Sequence, residues 1–374
     1  MEKLKVIDLF CGCGGMSWGL HKANFSVLAG IDNWQPALET FKLNHPQAIP
    51  INADIRTVNP KEVMDRINMT EGEPDCIVGG PPCQGFSKNI PASCRFLEDP
   101  KNQLFRYFMS FVKAMYPKTA VMENVAEIYN AYSGGIRNEI VSMFESLGYK
   151  INVRIMYAPD YGIPQRRKRC IFFASRTGAD PVFPEPAFSP SENYNLFNPI
   201  KKYRTAWAAI SDLPELENGE GSETLPYNKP PRNEYQAEMR LDSELLYDHI
   251  SKKLNEKQLI RIASLKPGQG MKDLSPDIRP KSGYSGAYGR LDFEMIAPTI
   301  TRWVFHPGSG RFCHPKEARL ITIREAARIQ SFSDDFIFRG TYLQKSYQVG
   351  NAVPPLLMYA LADNIRKACS ICGS

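Results

Sequence analysis

The chain has 374 residues, 43% of them hydrophobic and 23% charged, and a formal net charge of +6. That balance is the balance of a water-soluble globular protein, and no apolar run approaches the length of a membrane span. Nine cysteines without paired spacing point to a reducing interior and away from a disulfide framework.

In chain order, the opening Met-Glu-Lys-Leu-Lys leads into a short apolar strand, Lys5–Phe10, rather than into a signal peptide. A glycine turn at Gly12–Gly15 and a helix over Met16–Ala23 follow, then a strand over Ser26–Ile31 closed by Asp32. Ile51-Asn52-Ala53 reads as a third strand before Asp54. Asp75–Val78 reads as a fourth, ended by Gly79-Gly80-Pro81-Pro82 and followed by Cys83. Leu104, Phe108, Phe111 and Met115 recur at helical spacing, as do Ile136, Ile140, Phe144 and Leu147. Ala120–Met122 and Cys170–Ala174 are further buried strands. Such alternation predicts an α/β fold, a doubly wound, Rossmann-like, mostly parallel sheet.

The texture changes after Ser175. Prolines 181, 184, 186 and 190, and then 226, 230 and 231, mark linkers and irregular structure, and the pattern stays weak to about residue 315. Regular signals return at Thr322–Gln330, an amphipathic helix, and at Val353–Lys367, a helix with Pro354 and Pro355 in its first turn. The expected division is a first domain over 1–185, a smaller irregular domain over 186–344, and a segment 345–374 that returns to the first.

Free cysteines are usually small buried hydrophobes. Cys83 reads differently, because glycines and prolines present it at the mouth of a sheet, where a nucleophile belongs. Cys11-Gly12-Cys13 and Cys369-Ser-Ile-Cys372 have no second pair at zinc-finger spacing, so no metal site is expected.

Glycines between a strand and a helix let the backbone turn tightly and bring a helix N-terminus to a ligand. Asp32, 20 residues after Gly12, is placed to bind the ribose hydroxyls of an adenosine, and Asp54 to accept from an adenine amino group. Helix capping is the competing reading for both aspartates. The spacing Gly12-x-Gly14-Gly15 lacks the G-x-G-x-x-G of dinucleotide binders, which makes a nicotinamide dehydrogenase the second choice. A carboxylate-bearing cofactor such as S-adenosylmethionine fits the turn and gives Cys83 a reaction to serve.

Six ordered blocks carry a resemblance. They are Asp8-Leu-Phe-Cys-Gly-Cys-Gly-Gly15, Gly80-Pro-Pro-Cys83-Gln-Gly-Phe-Ser87, Glu123-Asn124-Val125, Gln165-Arg166-Arg167-Lys168-Arg169, Arg324-Glu325-Ala-Ala-Arg328-Ile-Gln330 and Gly350-Asn351-Ala352-Val353-Pro354. In these the chain resembles the DNA (cytosine-5) methyltransferases of the bacterial restriction–modification type, nearly end to end except over 186–300. The resemblance implies S-adenosylmethionine as methyl donor, duplex DNA as substrate, and a target-recognition role for 186–344. It implies that Phe10, Gly12, Gly14, Gly15, Asp32, Asn33, Asp54, Ile55, Pro82, Leu104, Asn351 and Ala352 line the cofactor site. Asn33 stands where the family usually has an apolar or aromatic residue against the adenine, with Trp34 one place later as a substitute. Ser331-Phe332-Ser333-Asp334 replaces the usual Gly-Phe-Pro-Asp.

Cytosine C5 is a poor nucleophile until a thiolate adds to C6, and Cys83 is the residue that the resemblance assigns to that addition. Glu123 would hold a proton at cytosine N3, which needs a carboxyl able to keep one. Arg169 would bind cytosine O2, and Arg167, two places away on the same face of the strand entry, would hold phosphate or the site's geometry; Arg166 and Lys168 read as solvated. A base inside a duplex must be rotated out to be reached. The stretch Ser87–Asn102 would close over the DNA, with Gln84, Ser87 and Asn89 on the DNA side. Residues 250–293 hold nine Lys or Arg against four acids, a composition suited to phosphates. Pro298-Thr299-Ile300-Thr301-Arg302 resembles the family's Thr-x dipeptide region, which implies contacts at the flipped base and makes Thr299 a candidate DNA contact; the variable stretch before it reads the site in that family, making Arg290 and Arg302 candidates for guanine contacts.

The expected partners are duplex DNA and, functionally, a cognate restriction endonuclease, with no membrane, for a monomer in the cytoplasm at the nucleoid. Two other functions remain: a tRNA cytosine-5 methyltransferase with the same blocks, and a non-catalytic nucleotide-binding module.

Overall fold

The computed structural model describes residues 2–82, 103–191, 199–284 and 286–370. Five strands and their helices alternate through the first third of the chain. β1 (Lys5–Leu9), α1 (Gly15–Lys22), β2 (Ser26–Asp32), α2 (Gln35–Asn44) and β3 (Ile49–Asn52) are followed by α3 (Pro60–Arg66), β4 (Cys76–Gly79), α4 (Leu104–Met115) and β5 (Thr119–Val125). α5 (Gly135–Ser146) leads to a hairpin of β6 (Lys150–Tyr157) and β7 (Lys168–Ser175). The seven strands form one sheet in the order β3-β2-β1-β4-β5-β7-β6. β1 to β5 pair in parallel, and β7 runs antiparallel to both its neighbours. The fold is α/β with a mostly parallel sheet, as the strand–helix alternation predicts. The antiparallel insertion of β7 between β5 and β6 is not legible in that alternation, because a buried strand reads alike in either sense.

The sheet reverses its winding at β1, which has β2 on one side and β4 on the other. In α/β sheets such a switch point opens a crevice at the carboxyl ends of the strands. Leu9 pairs with Gly79 and Gly79 with Met122, so the segments after β1, β4 and β5 leave side by side. α4 buries Phe105, Phe108, Met109, Phe111, Val112 and Met115 against the sheet, in the core that holds Ile7, Ile77, Ala120 and Phe172. Each large side chain buried in this way contributes roughly 2 kcal/mol.

β8 (Phe188–Ser189) and β9 (Lys201–Lys202) form one small sheet, and β10 (Gly221–Pro226) and β11 (Leu245–Ile250) another. The short helices α6 (Ala206–Ile210), α7 (Glu234–Arg240), α8 (Glu256–Ala263), α9 (Ile323–Ile329) and α10 (Tyr342–Asn351) complete this region, and α11 (Pro355–Ser370) ends the described chain. Contacts divide the protein into two units: Met1–Tyr157 with Lys168–Glu185 and Pro355–Ser374, and Ala158–Arg167 with Pro186–Pro354. The segment Ala158–Arg167 and residues 345–354, with most of helix α10, therefore group with the irregular region, outside the 186–344 range expected for it.

Two helices depart from expectation. The last begins at Pro355, whose missing N–H costs nothing at a helix's first residue, and Pro354 lies before it. α9 is not amphipathic, since all seven of its residues are buried. Its charges are neutralised internally. Arg328 pairs with Asp212 at 2.6 Å and Asp334 at 2.5 Å, and Arg319 donates to both oxygens of Glu325 at 2.8 Å. Burial works against the Glu325 charge, and the Arg319 guanidinium more than offsets it, holding that carboxyl well below the usual range.

Among the described residues no helix is long and apolar enough to cross a membrane. No group of three or more His, Cys, Asp or Glu among them could hold a metal ion.

Candidate active site

In the first unit the turn after β1 is built by backbone conformations that few side chains adopt. Phe10 has φ 60°, Gly12 φ 54° and Gly14 φ 97°. A Cβ on Gly14 would in addition press on the rings of Phe41 and His45 at 3.0 and 3.1 Å, so glycine is required there twice over. A Cβ on Gly12 would meet nothing within 4 Å, which leaves an open face over that peptide. The Asp32 carboxylate holds the turn in place: Gly12 N–H donates to Oδ2 at 2.8 Å and Trp34 N–H to Oδ1 at 2.9 Å. Burial raises Asp32 above the usual carboxylate range, opposed by those two donors.

Beneath the turn lies Asp8, 1% exposed. Its Oδ2 accepts from Ser17 Oγ at 2.6 Å, and its Oδ1 has no hydrogen-bond partner. Burial pushes this carboxyl up to about 7 against the pull of the Ser17 hydrogen bond. The sequence reading assigned Asp8 no role; an acid inside an apolar strand was the available signal.

The other expected cofactor residues of this unit are varied. Phe10 and Leu104 are half-buried against the core, Ile55 is buried within it, and Gly15 opens α1. Asn33 is exposed and Trp34 half-buried at the start of α2. Pro82 is exposed. Asp54 acts as a helix cap, accepting from Arg56 N–H at 3.0 Å, and grips the Arg56 guanidinium as well at 2.5 Å. The capping reading, set aside in the sequence for a ligand role, describes Asp54 here.

At the carboxyl ends of β4 and β5 a second cluster forms. Glu123, 7% exposed, accepts from Arg169 Nε at 2.6 Å. β7 carries Arg169 opposite Val125, so the antiparallel register brings the guanidinium to the acid two residues away. A Cβ on Gly80 would lie 2.9 Å from Glu123 Oε2, so only glycine leaves the carboxylate its place. Next to it, Asn124 Nδ2 donates to the Pro81 carbonyl at 3.0 Å. Glu123 and Asn124 thus grip the two residues that begin the Gly80-Pro81-Pro82 run. Cys83, Gln84, Ser87 and Asn89 lie outside the described residues. Cys11, Cys13, Cys76, Cys170, Cys313 and Cys369 are buried free thiols, and burial pushes Cys170 and Cys313 up to about 12, so none of these six is a poised nucleophile.

In the second unit Arg167 is 3% exposed and precedes β7 rather than belonging to it. Arg167 donates to the carbonyls of Ile300 at 3.1 Å and Ala352 at 2.9 Å. Gln165, which the sequence reading passed over, accepts from Ile300 N–H at 2.8 Å and donates to Gln330 at 2.6 Å. Gln330 in turn donates to the Val349 carbonyl at 2.7 Å. A Cβ on Gly350 would lie 2.2 Å from Arg302 N, so the Thr301–Arg302 backbone rests directly on that glycine. Three of the sequence blocks meet the 298–302 segment in this knot, with exposed Asn351 and half-buried Ala352 at its edge.

The expected DNA contacts separate here. Arg302 is exposed, and Thr299 donates its hydroxyl to the Arg166 carbonyl at 2.6 Å. Arg290 as a guanine contact is corrected: it is 6% exposed. Its guanidinium donates to the carbonyls of His314, Pro315, Ile262, Leu265 and Lys316. An irregular chain leaves carbonyls without ladder partners, and a guanidinium with five N–H donors can satisfy several of them.

The sequence profile of the C-5 cytosine-specific DNA methylases matches residues 4–367. The Type II methyltransferase M.DdeI of Desulfomicrobium norvegicum is 36% identical, over 97% of this chain and 88% of its own. The Type II methyltransferase M1.HphI of Haemophilus parahaemolyticus is 34% identical, over 97% of this chain and 87% of its own. A solved Escherichia coli structure, described as a DNA modification methyltransferase encoded within a prophage, superposes with a TM-score of 0.77 at 26% identity. That match covers 98% of this chain and 99% of the other.

Proposed function

The chain belongs to the C-5 cytosine-specific DNA methylase family, and on that footing we propose that it methylates C5 of an extruded cytosine in a specific duplex sequence. The observation that carries the chemistry is the grip of Glu123 and Asn124 on Gly80 and Pro81, the residues that lead into Cys83.

The residues of the first unit fit S-adenosylmethionine: an open glycine face at Gly12, a carboxylate at Asp32 for ribose hydroxyls, and the N-terminus of α1. When bound, that cofactor supplies the sulfonium methyl that C5 accepts, leaving as the thioether. The Cys83 thiolate adds to C6, and the electron pair of the C5–C6 bond is displaced toward C5. Glu123 holds a proton at N3, so that the ring does not accumulate negative charge as sulfur adds. Arg169 orients Glu123 and offers its remaining donors to O2. After transfer the proton on C5 passes to solvent water, the C5–C6 double bond re-forms and the thiolate departs, regenerating Cys83, while the proton at N3 returns to Glu123.

By this reading the enzyme works as a monomer in the cytoplasm on nucleoid DNA, shielding it from a cognate restriction endonuclease, as the Type II relatives' names support. Tritium transfer from labelled S-adenosylmethionine to duplex DNA and to tRNA tests it. Label in DNA alone is expected, and none with Cys83→Ser, which should still bind cofactor. Label confined to tRNA, or full activity of the serine variant, would overturn it. Duplexes bearing 5-fluorocytosine should trap the sulfur–C6 adduct.

A further inference from the structure

Most arginines of the second unit are engaged by backbone. Arg311 donates to the carbonyls of Gly268, Gln269 and Arg290, and Arg279 to those of Leu274 and Lys272. Two cations differ. Arg302 and Lys252 make no ion pair and no side-chain hydrogen bond to a described residue, and both lie over aromatic rings. The Arg302 guanidinium is 5.3 Å from the Trp303 ring centre and 5.7 Å from that of Tyr347. Lys252 Nζ is 4.5 Å from the centre of Phe305. The three rings form one cluster, with Trp303 5.6 Å from Tyr347 and 5.7 Å from Phe305. Trp303 is 43% exposed, an unusual state for the largest apolar side chain.

The cluster stands on a fixed base. Ser346 donates to the Arg302 carbonyl at 3.2 Å, and Gly350 and Arg167 hold the backbone of residues 300–302 from beneath. Burial lowers Lys252 below the usual lysine range, with no carboxylate to oppose it. A half-buried cation without a counter-ion over Phe305, with the exposed indole of Trp303 in the same ring cluster, matches a ligand with alternating anions and flat π-faces. A nucleic-acid strand has that chemistry: phosphates for the cations and base faces for the indole.

We propose that Trp303, flanked by Arg302 and Lys252, is a DNA-contact platform of the second unit, whose indole stacks on a base left unstacked in an opened duplex. The inference rests on the proposed function, which requires that a base leave the stack and so exposes such a face.

The test uses the full chain and two duplexes of one sequence, fully matched or carrying a single abasic site opposite guanine. Wild type should favour the abasic duplex. Trp303→Ala should lose about ten-fold in affinity for it and less for the matched duplex, where opening the stack offsets part of the stacking gain, and Trp303→Phe should restore most of the loss. Lys252→Ala should lower the slope of log affinity against log salt by about one. Wild-type affinity of Trp303→Ala for the abasic duplex, or equal losses on both duplexes, would overturn the platform; the first result would point to a protein partner for the patch. Because binding is read without turnover, a wild type that fails to label DNA sinks the methylation reading alone.

Discussion

Asn124 donates its side-chain amide to the carbonyl of Pro81 at 3.0 Å, fastening the end of one strand to the residue two before Cys83. Two consecutive prolines cannot donate backbone N–H bonds of their own. The segment is therefore positioned from outside, by Asn124 on one residue and by the close fit of Gly80 against Glu123 on the other.

Gly80→Ala should transfer slowly for lack of space rather than for lack of folding. Its Cβ would sit 2.9 Å from Glu123 Oε2 and must push the carboxylate away. A misplacement approaching ~1 Å would cost up to about a hundred-fold in rate, and a smaller one correspondingly less. Asn124→Ala, which removes one buried hydrogen bond, should lower stability by about 1–3 kcal/mol and slow transfer as well. Single-turnover methylation beside thermal melting separates the two effects; near-normal transfer by Gly80→Ala would show that Glu123 need not stay where it is.

Asp8 gives the fold a pH dependence of known sign. Its carboxyl is raised from the usual 3.8 to about 7 in the folded protein. Between those values the folded chain binds more protons than the unfolded one, so stability is fully present below about pH 4 and falls as pH rises through 7. The loss amounts to at most about 4 kcal/mol. Asp8→Asn keeps an acceptor for Ser17 and should remove this slope. Urea unfolding of both proteins at pH 5 and pH 8 (the first about where the acid is still protonated) checks it. An unchanged difference between the two pH values in Asp8→Asn would show that another group carries the slope.

Arg328→Ala should unfold the second unit more readily. It takes the shared guanidinium from Asp212 and Asp334, both fully buried, and leaves them Arg240 at 2.7 Å and Arg324 at 3.7 Å as cations. Breaking such a pair costs about 3–5 kcal/mol. Limited proteolysis should cut first within Pro186–Pro354; unchanged protection there would mean that the aspartates find other partners.

Arg290→Ala separates a structural arginine from a DNA-reading one. With five carbonyls on its guanidinium, loss of the side chain should lower the melting temperature. The salt dependence of DNA binding should stay as it was, whereas a phosphate contact would reduce that slope by about one. A reduced slope without a stability loss would restore Arg290 to the DNA face.

Much of the first unit was legible because its signals are local. Strand and helix periods at Lys5–Leu9, Ser26–Asp32 and Leu104–Met115 come from which residues must face the core, and the turn at Gly12–Gly15 from conformations that disfavour side chains. The antiparallel entry of β7, which delivers Arg169 to Glu123, was not legible, since strand sense leaves no mark on composition.

By itself, then, the sequence determined the α/β class, the family and the order of the blocks, because each depends on residue types at short spacings. What only the tertiary structure decided is how each charged residue is used. Asp54 caps a helix, Arg290 and Arg167 hold carbonyls, the charges of α9 are sealed inside, and Arg302 and Lys252 lie over aromatic rings. A basic residue in a run of text carries the same charge in every case; its partner is chosen by long-range packing, and irregular backbone claims donors that a regular sheet would leave for a ligand.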